Sequence, residues 1–170
     1  DRVLKEMNRR YTISQYMDII NYAKQQIEDV SFSTDIIVGF PGETFEEYLD
    51  TEKLVKDVRF TQIFNYIYSK RTGTKAAEME DNISHKEKSQ WLNRLIKIQQ
   101  EIVFEHLNSY NGKQVRALVE ERHRDGSYTA RMANNFVVKF TDDSECLDKF
   151  VTLEITGKKG TSLTAKLLNK

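Results

Sequence analysis

The sequence predicts an α/β unit with parallel strands, followed by a small antiparallel β-barrel of the OB or SH3-like kind. Three observations predict it. Helix and strand patterns alternate up to about residue 74. A wide helical stripe then runs from Ser84 to about Ser109. Five short strand patterns, separated by glycine turns, occupy the last 60 or so residues.

The elements follow from local chemistry. Thr12-Ile-Ser-Gln15 has the hydroxyl-to-Gln spacing of a capping box, and Ile13, Tyr16, Met17, Ile20, Ala23 and Ile27 continue it as a helical stripe. Phe32–Val38 reads as a strand. Thr44-Phe-Glu-Glu47 is a second capping box, with Phe45, Tyr48, Leu54, Val55 and Val58 behind it. Phe60–Tyr68, rich in aromatic and β-branched residues, is the next strand, and Arg71-Thr-Gly-Thr74 turns the chain. Strands joined by helical crossovers pair in parallel. Two parallel strands do not cover both their faces, so the unit is expected to be part of something larger, with its missing strands supplied from before Asp1 or by a partner chain. An exposed strand edge of this kind also invites self-association.

Ser84-His-Lys-Glu87 is the third capping box. Trp91, Leu95, Ile98 and Ile102 recur at four–three spacing, with Leu92, Ile96, Val103 and Leu107 beside them, a stripe wide enough for core packing on two neighbours. Asn111-Gly112 changes the pattern. Gln114–Glu120, Ser127–Met132, Phe136–Phe140, Phe150–Ile155 and Ser162–Leu168 are the strand candidates of the barrel, with turns at Asp125-Gly126 and Gly157-Lys-Lys-Gly160. The expected division is 1–82, a connecting helix 83–109, and 110–170.

Composition bounds the function. The formal net charge is zero, so no global field favours nucleic acid or membrane. The distribution is uneven: from Tyr110 onward there are 11 Lys or Arg against 8 Asp or Glu, which makes the barrel region mildly basic. Cys146 is the only cysteine, which excludes an internal disulfide and a cysteine metal set within this sequence. His85, His106 and His123 show no metal-ligand spacing. No bilayer-spanning apolar run and no signal peptide occur, so a cytoplasmic location and no membrane partner are expected.

Three stretches carry candidate chemistry. Asp35 sits inside the apolar run Ser33-Thr-Asp-Ile-Ile-Val38, and alternation puts it with Ile37 on the face opposite Ile36 and Val38. It is either a ligand-side carboxylate or a structural one bonded to a neighbour. Gly39-Phe40-Pro41-Gly42 follows at the carboxyl end of the strand, where α/β proteins bind ligands, and is read as a ligand loop or a tight turn. Arg71 can clamp a carboxylate or phosphate beside an aromatic wall of Phe64, Tyr66 and Tyr68, or lie in a solvated loop. In the tail, Arg122, Arg124, Arg131, Lys139, Lys158 and Lys159 alternate with Tyr128, Phe136 and Phe140, a mixture that suits single-stranded RNA or a solvated β surface.

Met7-Asn-Arg-Arg-Tyr-Thr12, Ser33 to Thr44 and Phe64 to Thr74, in that order and spacing, resemble the second half of the radical S-adenosylmethionine barrel of MiaB-type tRNA methylthiotransferases. The tail resembles their TRAM domain, through Leu118-Val-Glu120, Ser127 to Phe140 and Ser162 to Leu168. Phe136 stands where that family usually carries a basic residue. The resemblance implies a partial (β/α) barrel over 1–82 and a TRAM RNA-binding domain over 110–170. It implies a full-length enzyme that uses 4Fe-4S clusters and S-adenosylmethionine to generate a deoxyadenosyl radical and to methylthiolate C2 of N6-isopentenyladenosine next to the anticodon. The cluster cysteines would lie outside this chain, so the chain alone is expected to bind no cofactor and to be inactive, with no catalytic or metal residue of its own. Asp35, Gly39, Phe40, Gly42 and Arg71 would line the S-adenosylmethionine or substrate side. The six tail cations would hold the tRNA anticodon stem-loop, and the missing N-terminal part of the same protein would be the other partner. Related methylthiotransferases acting on threonylcarbamoyl-adenosine tRNA or a ribosomal protein, and a non-catalytic RNA-binding module, are the alternatives.

Overall fold

The computed structural model describes residues 1–169. The chain divides into two compact units, Asp1–Ile102 and Val103 onward.

In the first unit, α1 (Arg2–Glu6) and α2 (Ile13–Gln26) precede β1 (Ser33–Val38), α3 (Phe45–Val58), β2 (Gln62–Ile67) and α4 (Lys75–Glu78), and the long α5 (His85–Asn108) begins here and has its last turns in the second unit. All three capping boxes form. Thr12 and Thr44 each accept from the backbone N–H three residues on, while Gln15 and Glu47 reach back. Ser84 and Glu87 make the same reciprocal pair, at 3.2 and 3.0 Å. Strands β1 and β2 are parallel, from Ser33 opposite Gln62 to Val38 opposite Ile67. The crossover α3 and the apolar face of the sheet share one core of Ile20, Val38, Tyr48, Val55, Val58, Phe60, Ile63, Trp91, Leu95 and Ile102. The short helices α1 and α4 lie in segments to which the sequence pattern assigned no element.

At the centre of this core Tyr48 is fully buried and stacks on Trp91, with centroids 5.1 Å apart. Its hydroxyl donates to Glu52 at 2.6 Å, with the Trp91 carbonyl a second acceptor at 2.8 Å. Arg94 grips both oxygens of Glu52, at 2.8 and 3.1 Å, and this holds the Glu52 carboxyl below its ordinary range. Burial, aided by the Glu52 charge, pushes the Tyr48 phenol up. Removing the hydroxyl takes one hydrogen bond to a charged group out of the core and leaves Glu52 with Arg94. Tyr48→Phe is therefore expected to lower unfolding free energy by about 1.5–3 kcal/mol, the usual worth of a hydrogen bond to a charged group. Urea unfolding checks this, and an unchanged midpoint would refute it.

In the second unit, β3 (Gln114–Arg122), β4 (Ser127–Met132), β5 (Val137–Thr141), β6 (Phe150–Lys159) and β7 (Ser162–Asn169) close into a barrel of order β3-β4-β5-β7-β6. Inward residues alternate strictly, as in Tyr128, Ala130 and Met132 of β4. The core holds Val119, Tyr128, Val138, Cys146, Leu153 and Leu163, with Leu107 from the end of α5. Four of the five pairings are antiparallel, as expected for a small barrel, but the closing pair β5–β7 is parallel through Val138–Leu163 and Lys139–Thr164. A last strand inserted between β5 and β6, antiparallel to β6, has no other direction available. Phe136 is buried, with its ring 5.8 Å from that of Tyr110 and 6.4 Å from that of His106.

Candidate ligand-facing sheet end and nucleic-acid interface

The two-stranded sheet has one covered and one open face. Ile36, Val38, Ile63 and Ile67 point into the core. Asp35 and Ile37 of β1 and Phe64 and Tyr66 of β2 all face outward, with Asp35 beside Phe64 and Ile37 beside Tyr66. Alternation thus places Asp35 as expected, and its cost of burial does not arise because the face is open. Ile37, Phe64 and Tyr66 are 42, 46 and 51% exposed, which makes this an apolar wall with a single carboxylate on it.

The loop after β1 is built around a buried carboxylate. The N–H groups of Gly39 and Phe40 both donate to one oxygen of Glu43, at 2.6 and 3.1 Å. These donors are occupied by the chain itself. Burial pushes the Glu43 carboxyl up, against the pull of those two N–H groups. Gly39 has φ +70°, and its missing side chain makes room for another residue: a Cβ there would lie 2.5 Å from Cγ and 2.6 Å from Cδ of Lys88. Lys88, in the second turn of α5, is buried and ends in a two-oxygen ion pair with Asp81, at 2.8 and 2.6 Å. Its ammonium lies 5.5 Å from the centroid of Tyr68, whose ring meets Phe40 edge-on at 5.3 Å. Gly42, at φ +76°, gives its carbonyl to Arg2 at 2.6 Å, and Arg2 also binds Glu47.

Gly39, Phe40 and Gly42 therefore share one hydrogen-bonded loop at the carboxyl end of the sheet, with Asp35 on the open face leading to it. Arg71 follows β2 at the same end of the sheet. It is exposed, and its guanidinium makes no ion pair among the described residues. Sequence reasoning missed Glu43, Lys88 and Asp81. Glu43 had a readable signal, a carboxylate placed to reach back to the Gly-Phe amides. Lys88 had none, because nothing local ties it to Gly39.

The barrel places five of the six candidate cations at the two ends of β4. Arg122 and Arg124 flank the β3–β4 hairpin, and Arg122 pairs with Glu145 at 2.9 Å. Ser127 pairs with Thr141 at that end, and Arg131 with Val137 at the other. The parallel β5–β7 register brings the β6–β7 hairpin, with Lys158 and Lys159, to the Val137 end. The two groups lie roughly 13 Å apart along the strand. Lys139 points outward between them. Arg131 is held by both oxygens of Glu120, at 2.9 and 2.8 Å. Lys158 rests on the Phe104 ring, and partial desolvation there lowers its pKa.

Among the described residues no group of three His, Cys, Asp or Glu is placed to hold a metal ion, and Cys146 is fully buried in the barrel core. Among the described residues no helix is long and apolar enough to cross a membrane.

The family model described as Radical SAM superfamily matches residues 1–55, and that of the TRAM domain matches residues 108–168. Curated relatives match along nearly the whole chain. The tRNA-2-methylthio-N(6)-dimethylallyladenosine synthase of Thermoanaerobacter sp. (strain X514) is 39% identical over 170 residues, 99% of this chain and 36% of its own length. This chain is a partial-length relative of MiaB-type tRNA methylthiotransferases. The synthase of Acetivibrio thermocellus is 40% identical over 98% of the chain and 35% of its own length, and that of Sulfurihydrogenibium sp. is 39% identical over 99% and 38%. The chain spans a little over a third of the length of these relatives.

Proposed function

We propose that this chain forms part of a radical S-adenosylmethionine methylthiotransferase acting on N6-dimethylallyl (isopentenyl) adenosine next to the tRNA anticodon. The observation that carries it is identity of 39–40% to synthases of that name, running through both structural units. In this reading residues 1–82 are the closing part of a (β/α) barrel, 83–109 a connecting helix and 110–170 a TRAM domain. The order β3-β4-β5-β7-β6, with the last strand between the third and fourth, supports the OB type of barrel. The free edges of β1–β2 are where further barrel strands of the same protein would pair, and a second copy would compete for them.

The residues present do not fit an iron–sulfur cluster, which needs several thiolate ligands, whereas the one cysteine, Cys146, is enclosed in the barrel core. They do fit a nucleoside. Ile37, Phe64 and Tyr66 offer a wall for a planar base, and Asp35 an acceptor for hydroxyl or ammonium groups. S-adenosylmethionine, when bound, supplies the radical and the methyl group. The Gly39–Gly42 loop acts by shape, since its amides already serve Glu43. Arg71 stands free to meet a carboxylate or phosphate. The barrel would hold the anticodon stem-loop through phosphate contacts by Arg122, Arg124, Arg131, Lys139, Lys158 and Lys159. Such an enzyme works in the cytoplasm, where its tRNA is.

Mass spectrometry of tRNA nucleosides from a strain lacking the gene tests the reading. Loss of the 2-methylthio group from dimethylallyladenosine is expected; its retention overturns the assignment, and loss from threonylcarbamoyl-adenosine redirects it to that substrate. For the isolated chain, anticodon stem-loop affinity should fall roughly 20- to 40-fold between about 50 and about 200 mM salt if three phosphates are contacted. Salt-independent binding by fluorescence anisotropy would exclude that mode.

A further inference from the structure

The outward face of the barrel carries an aromatic–cation pair that lies outside the six candidate RNA residues. Alternation along β3 sends Gln114, Arg116 and Leu118 outward, and along β6 it sends out Phe150, Thr152 and Glu154. Arg116 pairs with Thr152 and Leu118 with Phe150. On its other side Leu118 pairs with Arg131. One row across three strands therefore reads Phe150, Leu118, Arg131, with Arg116 diagonal to the ring.

Two features set this place apart. Phe150 is 54% exposed, although Val151 and Leu153 on the same strand fill the core. The Arg116 guanidinium carbon lies 4.2 Å from the ring centroid, in stacking range. Arg122, Arg131 and Lys166 are compensated by Glu145, Glu120 and Glu154. Arg116 makes no ion pair among the described residues, so its charge is available. The apolar surface is one ring beside a half-buried leucine, flanked by Gln114 and Thr152. That is too little for a protein interface. It matches the needs of one unpaired base and its phosphate.

We propose that Phe150 and Arg116 form a stacking site for an unpaired RNA base, with Arg116 also meeting the adjacent phosphate. This rests on the tRNA reading above and specifies where the barrel distinguishes a loop from a duplex. A π face and a planar cation accept any base, whereas paired bases inside a helix present neither face.

The test is fluorescence anisotropy on the full chain, with a labelled anticodon stem-loop and a fully paired RNA of similar length. Phe150→Leu keeps the apolar bulk and removes the π face. It is expected to raise the stem-loop Kd roughly 5- to 100-fold, with duplex affinity and salt slope unchanged. Phe150→Tyr should restore binding, and Arg116→Ala should reduce the salt slope by about 0.7. Because the ring is exposed, thermal unfolding of Phe150→Leu should match the parent. Parental stem-loop affinity in Phe150→Leu, or equal losses on loop and duplex, overturns the stacking site while the RNA reading stands. If the parent chain binds neither RNA, the RNA reading fails and the site with it.

Discussion

Replacing Glu43 by alanine is expected to destabilise the 1–102 unit by about 2–6 kcal/mol. The side chain is the acceptor for the N–H groups of both Gly39 and Phe40, and all three residues are buried. Without it two amides lose their partner away from water, at about 1–3 kcal/mol each. Glu43→Gln separates hydrogen bonding from charge. Both amides bond the same oxygen, so one amide carbonyl can replace it, and the Gln variant should stay within about 1 kcal/mol of the parent at pH 7. The pH dependence gives a second readout. Burial raises the Glu43 pKa in the fold, so its contribution is fully present below the ordinary glutamate range and is lost as pH rises through the raised value. Glu47 and Glu52 have depressed pKa values and act in the opposite sense, losing stabilisation as pH falls. The difference between Glu43→Gln and the parent cancels those two. Urea midpoints by circular dichroism at about pH 5 and pH 7 should therefore show the Gln variant gaining on the parent at the higher pH. A parallel pair of pH profiles would show that the carboxyl is not strained by burial.

The second large effect is expected at Gly39. Gly39→Ala should cost about 2–5 kcal/mol, from two sources. The left-handed backbone, at φ +70°, penalises a Cβ by roughly 1–2 kcal/mol. The new carbon also lands 2.5 Å from Cγ of Lys88, and that lysine has nowhere to swing, being buried and fixed at its far end by Asp81. Overpacking of this kind costs roughly 1–3 kcal/mol. A double-mutant cycle with Lys88→Ala distinguishes the two sources. The cost of Gly39→Ala should shrink to the backbone part once the stem is gone. An identical cost in both backgrounds would remove Lys88 from the explanation.

What was legible in the sequence was what neighbouring residues decide. The boxes at Thr12, Thr44 and Ser84 are spacings of three, and each fixed a helix start. Alternation along Ser33–Val38 sorted Asp35 and Ile37 from Ile36 and Val38 without any knowledge of the partner strand. The barrel strands were legible as short runs between turn residues, Ser127–Met132 to the residue. Relations between distant residues were not legible. Lys88 lies 49 positions from Gly39, and Phe150 lies 34 from Arg116, so neither pairing has a sequence signature. The six tail cations read as one patch, but barrel register sends Arg122 and Arg124 to one end of β4 and Lys158 and Lys159 to the other. Phe136 read as a departure in an RNA-facing position. Its ring is in fact buried beside Tyr110 and His106, a packing role that fits an aromatic and not a lysine.

The sequence contains one tryptophan and one cysteine. Trp91 is 8% exposed in the core of the first unit, and Cys146 is fully enclosed in that of the second. Each unit thus carries a single intrinsic probe of its own opening. Indole emission follows the first unit, and the rate of thiol labelling under native conditions follows the second. The opening of each unit becomes measurable on the unlabelled, unmutated protein, and an RNA that binds the folded barrel should slow labelling at Cys146.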